Sequence, residues 1–132
     1  MESFEVHTAK RAEFRDITSS VVAILRRAGV TSGVAVVYVP HTTAGVTINE
    51  NADPSVVSDI LTSLDKQVPW DEPFYRHGEG NSAAHIKASM MGSSAQIPIE
   101  DGHLVLGTWQ AIYFCEFDGP RTRKVHVRII GS

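Results

Sequence analysis

Apolar residues recur at helical spacing in two stretches of the chain. The first covers residues 17–28, between the candidate cap Asp16 and Gly29, a residue type that commonly ends helices. The second covers residues 53–68 and opens with an aspartate followed by proline, which suits the cap and the first helical position. A shorter third helix is predicted within residues 81–92, ending at a glycine.

Strand patterns fill most of the remaining chain. Alternating or β-branched segments flanked by turn residues predict seven strands, at residues 4–8, 33–39, 45–49, 95–99, 103–107, 111–117 and 123–130. Residues 69–80 hold prolines, glycines and acids and are predicted to form an ordered loop.

One predicted strand, 111–117, is apolar on both faces until Glu116, whereas 123–130 alternates and leaves one face for water. A strand of the first kind needs a cover on each side. A helix, a second sheet or another subunit would serve, and the pattern alone does not choose among them.

Composition narrows the class of protein. The chain has 132 residues, of which 42% are hydrophobic, which predicts a single domain over residues 1–132. Twelve Lys and Arg against fifteen Asp and Glu leave no general attraction for nucleic acid. No apolar run approaches the roughly 20 residues of a membrane helix. The acidic start of the chain is no secretory signal, and Cys115 is a lone cysteine among apolar neighbours, so we expect a cytoplasmic protein.

Three of the six histidines lie where functional residues are often found. His41 follows a buried strand, His77 lies in a glycine-rich loop, and His85 lies on the third helix away from its apolar stripe. Together they could offer three imidazoles to a zinc-like ion with an open fourth position. Their spacing is not a recognised ligand signature, so a purely structural role for each stays open.

Two carboxylates and one turn are further candidates. Glu50 continues the apolar face of its strand, and Glu116, if buried, needs a cationic partner such as Arg121 or Arg123. Residues 92–94, Gly-Ser-Ser, could bind an anion or simply end a helix.

Three segments in this order resemble the YjbQ family: HTTAGVTINENAD at residues 41–53, AHIKASMMGSS at 84–94, and LGTWQAIYFCEFDGPR at 106–121. The resemblance implies an α+β fold, mainly an antiparallel β-sandwich with two to three helices packed on it. It also implies a homotrimer, and a neighbouring subunit would then cover the second face of strand 111–117.

The resemblance, read with the residues above, also implies a site. Its expected catalytic residues are His41, Glu50, His77 and His85, with the three histidines as metal ligands. Its expected substrate-binding residues are Thr42, Thr43, Asn51, Asn81, Lys87, Ser93, Ser94, Gln110, Glu116 and Arg121.

Members of the family are described as thiamine phosphate synthases or are uncharacterised. That reaction expels pyrophosphate and would use Mg²⁺ on oxygen ligands such as Glu50 or Asp118, whereas three imidazoles suit zinc or acid/base chemistry better. We therefore expect an enzyme with a histidine-rich site for a small phosphorylated substrate, with thiamine phosphate synthesis as the named reaction. The alternative is a non-catalytic trimeric binding protein for a small anionic metabolite. A third hypothesis gives the histidines only hydrogen bonds at a subunit interface.

Overall fold

The computed structural model describes all 132 residues, which form three helices and eight strands. The helices are α1 (Thr18–Ala28), α2 (Pro54–Gln67) and α3 (Ser82–Met91). The strands are β1 (Glu2–His7), β2 (Glu13–Asp16), β3 (Gly33–Tyr38), β4 (Ala44–Glu50), β5 (Ser94–Glu100), β6 (His103–Leu104), β7 (Gln110–Glu116) and β8 (Thr122–Gly131).

The strands form two antiparallel sheets. The larger has the order β1-β8-β3-β5-β6 and the smaller has the order β2-β7-β4. Their inner faces share one apolar core, in which Val37 and Val127 of the larger sheet join Val46 and Phe114 of the smaller one. Helix α1 adds Val21 to this core. The predicted α+β fold, a mainly antiparallel sandwich with packed helices, is confirmed.

Strand β7 is covered on both faces by its own chain. Ile112 and Phe114 point into the core between the sheets, while Tyr113 and Cys115 pack against α2 and α3, where Leu64 is the buried helix residue of α2. The two covers are thus a second sheet and a helix pair, two of the three alternatives left open. No neighbouring subunit is needed to explain this strand, so the homotrimer stays a prediction that depends on resemblance alone.

The helix predictions hold, with differences at the caps. Asp53 caps α2 and accepts the Ser55 N–H at 2.9 Å, as its pattern indicated. Asp16 accepts the Thr18 N–H at 2.9 Å, although it belongs to β2 and Ile17 occupies the cap position of α1. Asn81 is at the cap position of α3 but makes no side-chain capping bond.

Two strand predictions need correction. Strand β2 was not predicted, because it has only four residues and its place in the sheet comes from pairing with β7, in which Phe14 lies opposite Cys115. The strand predicted at 103–107 has only two residues, His103 and Leu104, since just these two pair with β5. Strand pairing decides both cases, with the remote strand β7 for β2 and with the adjacent strand β5 for β6, and the local alternation of apolar and polar residues does not predict where pairing starts and ends. None of the three helices has the length and hydropathy needed to cross a membrane.

Candidate functional site

Three chain segments meet at one end of the sandwich. In the smaller sheet, Ala44 at the start of β4 lies opposite Glu116 at the end of β7. Residues 41–43 lead into β4, and the turn at residues 117–121 leads from β7 into β8. The antiparallel register therefore brings these two loops together, and the start of α3 lies beside them.

A buried ion pair forms the base of this region. The Arg123 and Glu116 side chains are 5% and 0% exposed, and Arg123 Nε donates to Glu116 Oε1 at 2.9 Å while its Nη2 donates to Oε2. Nη2 also donates to Thr43 Oγ1 at 2.8 Å. Arg123 shares its face of β8 with Val125 and Val127, which is why it points inward. Of the two partners considered for Glu116, the structure selects Arg123.

The remaining acceptor capacity of Glu116 is also used. Thr8 Oγ1 donates to Oε1 at 2.8 Å, and the amides of Phe117 and Asp118 each donate to Oε2 at 3.1 Å. Burial by itself raises the pKa of the Glu116 carboxyl, but the hydrogen bonds and the charge of Arg123 outweigh it and hold that pKa below its ordinary value. Glu116 is therefore an ionised structural anchor.

His41 is held in one orientation above this pair. The backbone N–H of Lys124 donates to His41 Nε2 at 2.9 Å, so Nε2 carries no proton and the neutral ring has its proton on Nδ1. Burial, followed by the nearby Arg123 charge, lowers the pKa of the imidazole. His41 is thus a neutral ring near pH 7 whose available group is an N–H donor.

A second polar chain runs from Arg121 to α3. Arg121 Nε donates to the Asp118 carbonyl at 2.8 Å, and Nη2 donates to Asp118 Oδ2 at 2.9 Å. Asn81 Nδ2 donates to the same Oδ2 at 2.8 Å. This bond fixes the Asn81 amide, and its Oδ1 is the one buried side-chain polar atom without a hydrogen-bond partner. Leaving such an atom unpaired costs about 1–3 kcal/mol, and a role in a functional site is one explanation for a group of this kind.

These groups surround a cavity of about 430 Å³ whose wall is polar or charged apart from Pro40. Its lining includes His41, Thr42, Thr43, His77, Asn81, His85, Arg121 and Arg123. We call it the polar pocket. It brings together seven of the predicted site residues, and Glu116 supports it from below through Arg123.

Two of the predicted histidines form a pair in the wall of the polar pocket. The rings of His77 and His85 lie edge to face with centroids 5.3 Å apart. His77 Nε2 is 3.9 Å from Glu79 Oε1, an ion pair only when the ring is protonated. His85 lies one helical turn after Asn81, which places both at the same end of α3.

The three histidines do not fit the predicted zinc site. No group of three or more His, Cys, Asp or Glu side chains is placed to hold a metal ion. His41 Nε2 is already the acceptor of the Lys124 N–H, so its lone pair is not available to a metal. Asp118, considered for Mg²⁺, accepts from both Asn81 and Arg121. Two of the candidate ligands, His41 and Asp118, are therefore committed to protein hydrogen bonds.

Three predicted site residues lie at the opposite end of the small sheet. Glu50 is the last residue of β4 and pairs with Gln110, the first of β7. Asn51 Nδ2 donates to Asp16 Oδ2 at 3.3 Å, and Gln110 Oε1 accepts the Gly107 N–H at 2.8 Å. A seven-residue strand separates them from the polar pocket, roughly 20 Å at about 3.3 Å per residue. Within one chain they do not join the histidines.

The other three predicted residues also lie outside the polar pocket. Lys87 is buried between α3 and α2, with Asp65 as its charged neighbour. Ser93 lines an adjoining cavity of about 480 Å³ that shares His41 and His85 with the polar pocket. Ser94 is the exposed first residue of β5 and pairs with Tyr38.

Sequence reasoning named Asp118 only as a possible Mg²⁺ ligand and Arg123 only as a possible partner of Glu116, and left both out of the predicted substrate-binding residues. Arg123 could have been found from its parity with Val125 and Val127, since a cation on the inner face of a strand needs a buried partner. Asp118 pairs with Arg121 three residues away, but its link to α3 depends on Asn81, 37 residues away, and no local pattern predicts that contact.

The family model described as "UPF0047 protein YjbQ-like" matches residues 2–132, so the chain belongs to this family. It is 53% identical over 131 residues to the UPF0047 protein YugU of Bacillus subtilis, covering 99% of both chains. It is 52% identical over 131 residues to the UPF0047 protein MJ1081 of Methanocaldococcus jannaschii, covering 98% of this chain and 93% of that one. The predicted family is confirmed.

Solved structures of related proteins have the same fold as this chain. An uncharacterised YjbQ/UPF0047 protein from Clostridium acetobutylicum superposes with a TM-score of 0.96 at 58% identity, covering 98% of this chain and 100% of that one. The conserved hypothetical protein TT1486 from Thermus thermophilus superposes with a TM-score of 0.91 at 42% identity, covering 98% and 100%.

These findings contradict the predicted function, an enzyme with a histidine-rich site and thiamine phosphate synthesis as its named reaction. The relatives are named only as UPF0047 or uncharacterised proteins, and none is named as a thiamine phosphate synthase or a transferase. The histidine-rich metal site expected for the enzyme is also not formed.

Proposed function

We propose that the protein binds a small anionic metabolite in the polar pocket. The observation that carries the proposal is the wall of that pocket, which has two arginines, three histidines and two threonines against two carboxylates, Glu79 and Asp118, and in which Pro40 is the one nonpolar residue. Donors dominate such a wall, and donors are what an oxyanion needs. The cavity volume of about 430 Å³ lies within the usual range for small-molecule sites.

Arg121 is the group expected to bind the anion. Its bonds to Asp118 use Nε and Nη2 and hold the guanidinium in place, while Nη1 makes no hydrogen bond to the protein. Its side chain is 50% exposed, so a ligand reaches it without unfolding. Arg123 is not expected to bind the anion in this way, because its guanidinium already donates hydrogen bonds to Glu116 and Thr43. Preorganised guanidinium donors lose little entropy on binding a phosphate or carboxylate.

The neutral His41 ring and the Asn81 amide complete the proposed contacts. His41 Nδ1–H is a donor that remains after Nε2 is used by the backbone. Asn81 Oδ1 is an acceptor without a partner, which supports a ligand that carries a hydroxyl or N–H group beside its anionic group. Because water does not reach this oxygen, a small rotation of the Asn81 side chain accompanies that contact.

The experiment is an isothermal titration of the purified protein with inorganic phosphate and with methyl phosphate. We expect saturable binding, weakened about tenfold or more by Arg121→Gln, since a charge-assisted hydrogen bond contributes that much. Arg128→Gln is the matched control, an exposed arginine on β8 outside the pocket wall, and should leave binding unchanged. Absence of saturable binding, or equal losses in the two variants, would overturn the proposal.

A further inference from the structure

Lys87 lies outside the polar pocket in an environment unusual for a lysine. Its side chain is 6% exposed. It projects from α3 toward α2 into a cavity of about 280 Å³, which we call the lysine pocket. The wall of this pocket is largely apolar and includes Ala12, Leu61, Leu64 and Phe117. A lysine is almost never buried this far unless its charge is paired.

The pairing of Lys87 is weak. Its Nζ lies 3.5 Å from Asp65 Oδ1 and makes no hydrogen bond to any side chain or backbone group. Asp65 itself is 75% exposed, so water competes for its carboxylate. The ammonium group carries three N–H donors and none is satisfied by the protein. Nζ is not among the fully buried polar atoms that lack a partner, so these donors are reached from the pocket although the rest of the side chain is buried.

We propose that the lysine pocket is a second ligand site, which takes a short-chain monocarboxylate. The carboxylate accepts hydrogen bonds from Lys87 Nζ, and the hydrocarbon end lies against Leu61, Leu64 and Phe117. The ligand carboxylate competes for the ammonium with Asp65, which also lines the pocket but is largely exposed to water, and the apolar wall favours a short alkyl group over a second charged or hydroxylated group. The cavity volume of about 280 Å³ lies just below the usual range for small-molecule sites, which favours a small ligand.

This site is separate from the polar pocket, since the two walls share no residue. The proposal therefore does not depend on the proposed function. Binding at the lysine pocket should shift NMR signals of Leu61 to Asp65 and of Lys87, whereas phosphate in the polar pocket should shift those near Arg121 and His85.

The test is a ¹H–¹⁵N NMR titration of the full chain with propionate, with propionamide as the uncharged probe of the same size. We expect saturable shifts around Lys87 with propionate and none with propionamide. Lys87→Met keeps the hydrocarbon stem and removes the charge, and it should weaken propionate binding about tenfold or more. The matched control is Lys66→Met, an exposed lysine on α2, which should bind propionate as the wild type does.

A second variant keeps the test independent of the folding of Lys87→Met. In Asp65→Asn the competing carboxylate is gone and Lys87 is unchanged, so propionate should bind several-fold more tightly. Unchanged or weaker binding in Asp65→Asn would overturn the proposal, as would equal shifts with propionate and propionamide. No shift around Lys87 in the wild type would show that Lys87 and Asp65 form only a structural ion pair.

Discussion

Arg123 and Glu116 face each other between the two sheets, with Arg123 Nε donating to Glu116 Oε1 at 2.9 Å and both side chains almost fully buried. The pair ties β8 to β7 at the end of the sandwich where the polar pocket lies. Since Arg123 also lines that pocket, the same ion pair supports the fold and fixes one wall of the candidate site.

Breaking this pair from one side should destabilise the protein severely. In Glu116→Gln the buried guanidinium keeps its desolvation and loses its counter-charge, so the free energy of unfolding should fall by about 3–5 kcal/mol. Urea denaturation at pH 7 measures this. Glu100→Gln, an exposed glutamate on β5, is the matched control and should change stability by less than about 0.5 kcal/mol. Equal effects in the two variants would contradict the role assigned to the pair.

Stability should fall in acid through Glu116. Its pKa in the folded protein is below the ordinary value of about 4.3. The unfolded chain therefore binds the proton first, and this part of the stability is complete above about pH 4.3 and is lost as the pH falls through the lower folded pKa. The difference in unfolding free energy between wild type and Glu116→Gln should thus shrink from pH 7 to pH 3. A difference that stays constant over this range would contradict the lowered pKa.

His41 should titrate below its ordinary range. Burial and the Arg123 charge lower the pKa of its imidazole from 6.5. The stability linked to His41 is therefore complete above about pH 6.5 and is lost as the pH falls through the folded pKa. An NMR titration should give a midpoint below 6.5 in the native protein and near 6.5 in urea. Long-range ¹⁵N spectra should show the proton on Nδ1, and a neutral ring protonated on Nε2 would contradict the bond from Lys124.

Gly45 controls the position of α3. A Cβ atom at this residue would lie 2.6 Å from the Gly92 carbonyl oxygen and 3.1 Å from Met91 Cβ. Gly45→Ala should therefore push the end of α3 away from β4, lower stability by about 1–3 kcal/mol, and weaken phosphate binding because His85 moves with the helix. Gly78→Ala is the matched control, since a Cβ there meets nothing within 4 Å. Thermal unfolding and phosphate titration of both variants provide the measurement, and equal unfolding temperatures would contradict the close contact.

Much of the fold follows from local pattern. The apolar stripe of α1 and the alternation of β8 each place apolar side chains on one face, which the structure buries, and the Asp53 cap marks the start of α2. Cys115 was expected to be a small buried residue, and it is fully buried, which raises the pKa of its thiol. The local pattern does not predict the short strand β2, because β2 forms by pairing with the remote strand β7.

The candidate site shows where sequence stops being informative. His41 and Glu50 lie nine positions apart in one motif, and the motif suggested one site, yet the extended strand β4 carries them to opposite ends of the small sheet. His41 and Arg121 are 80 positions apart and share one pocket, because antiparallel pairing brings their loops together.

By itself the sequence determined the helices, most of the strands, the apolar faces and the family resemblance, since each is encoded in neighbouring residues or contiguous motifs. Only the tertiary structure decided which polar groups meet. It chose Arg123 for Glu116, left Asn81 Oδ1 without a partner and placed Lys87 in a separate cavity. The physical reason is that burial of the whole core sets the strand register and the helix packing. The contacts between polar side chains follow from that packing and are not encoded in neighbouring residues.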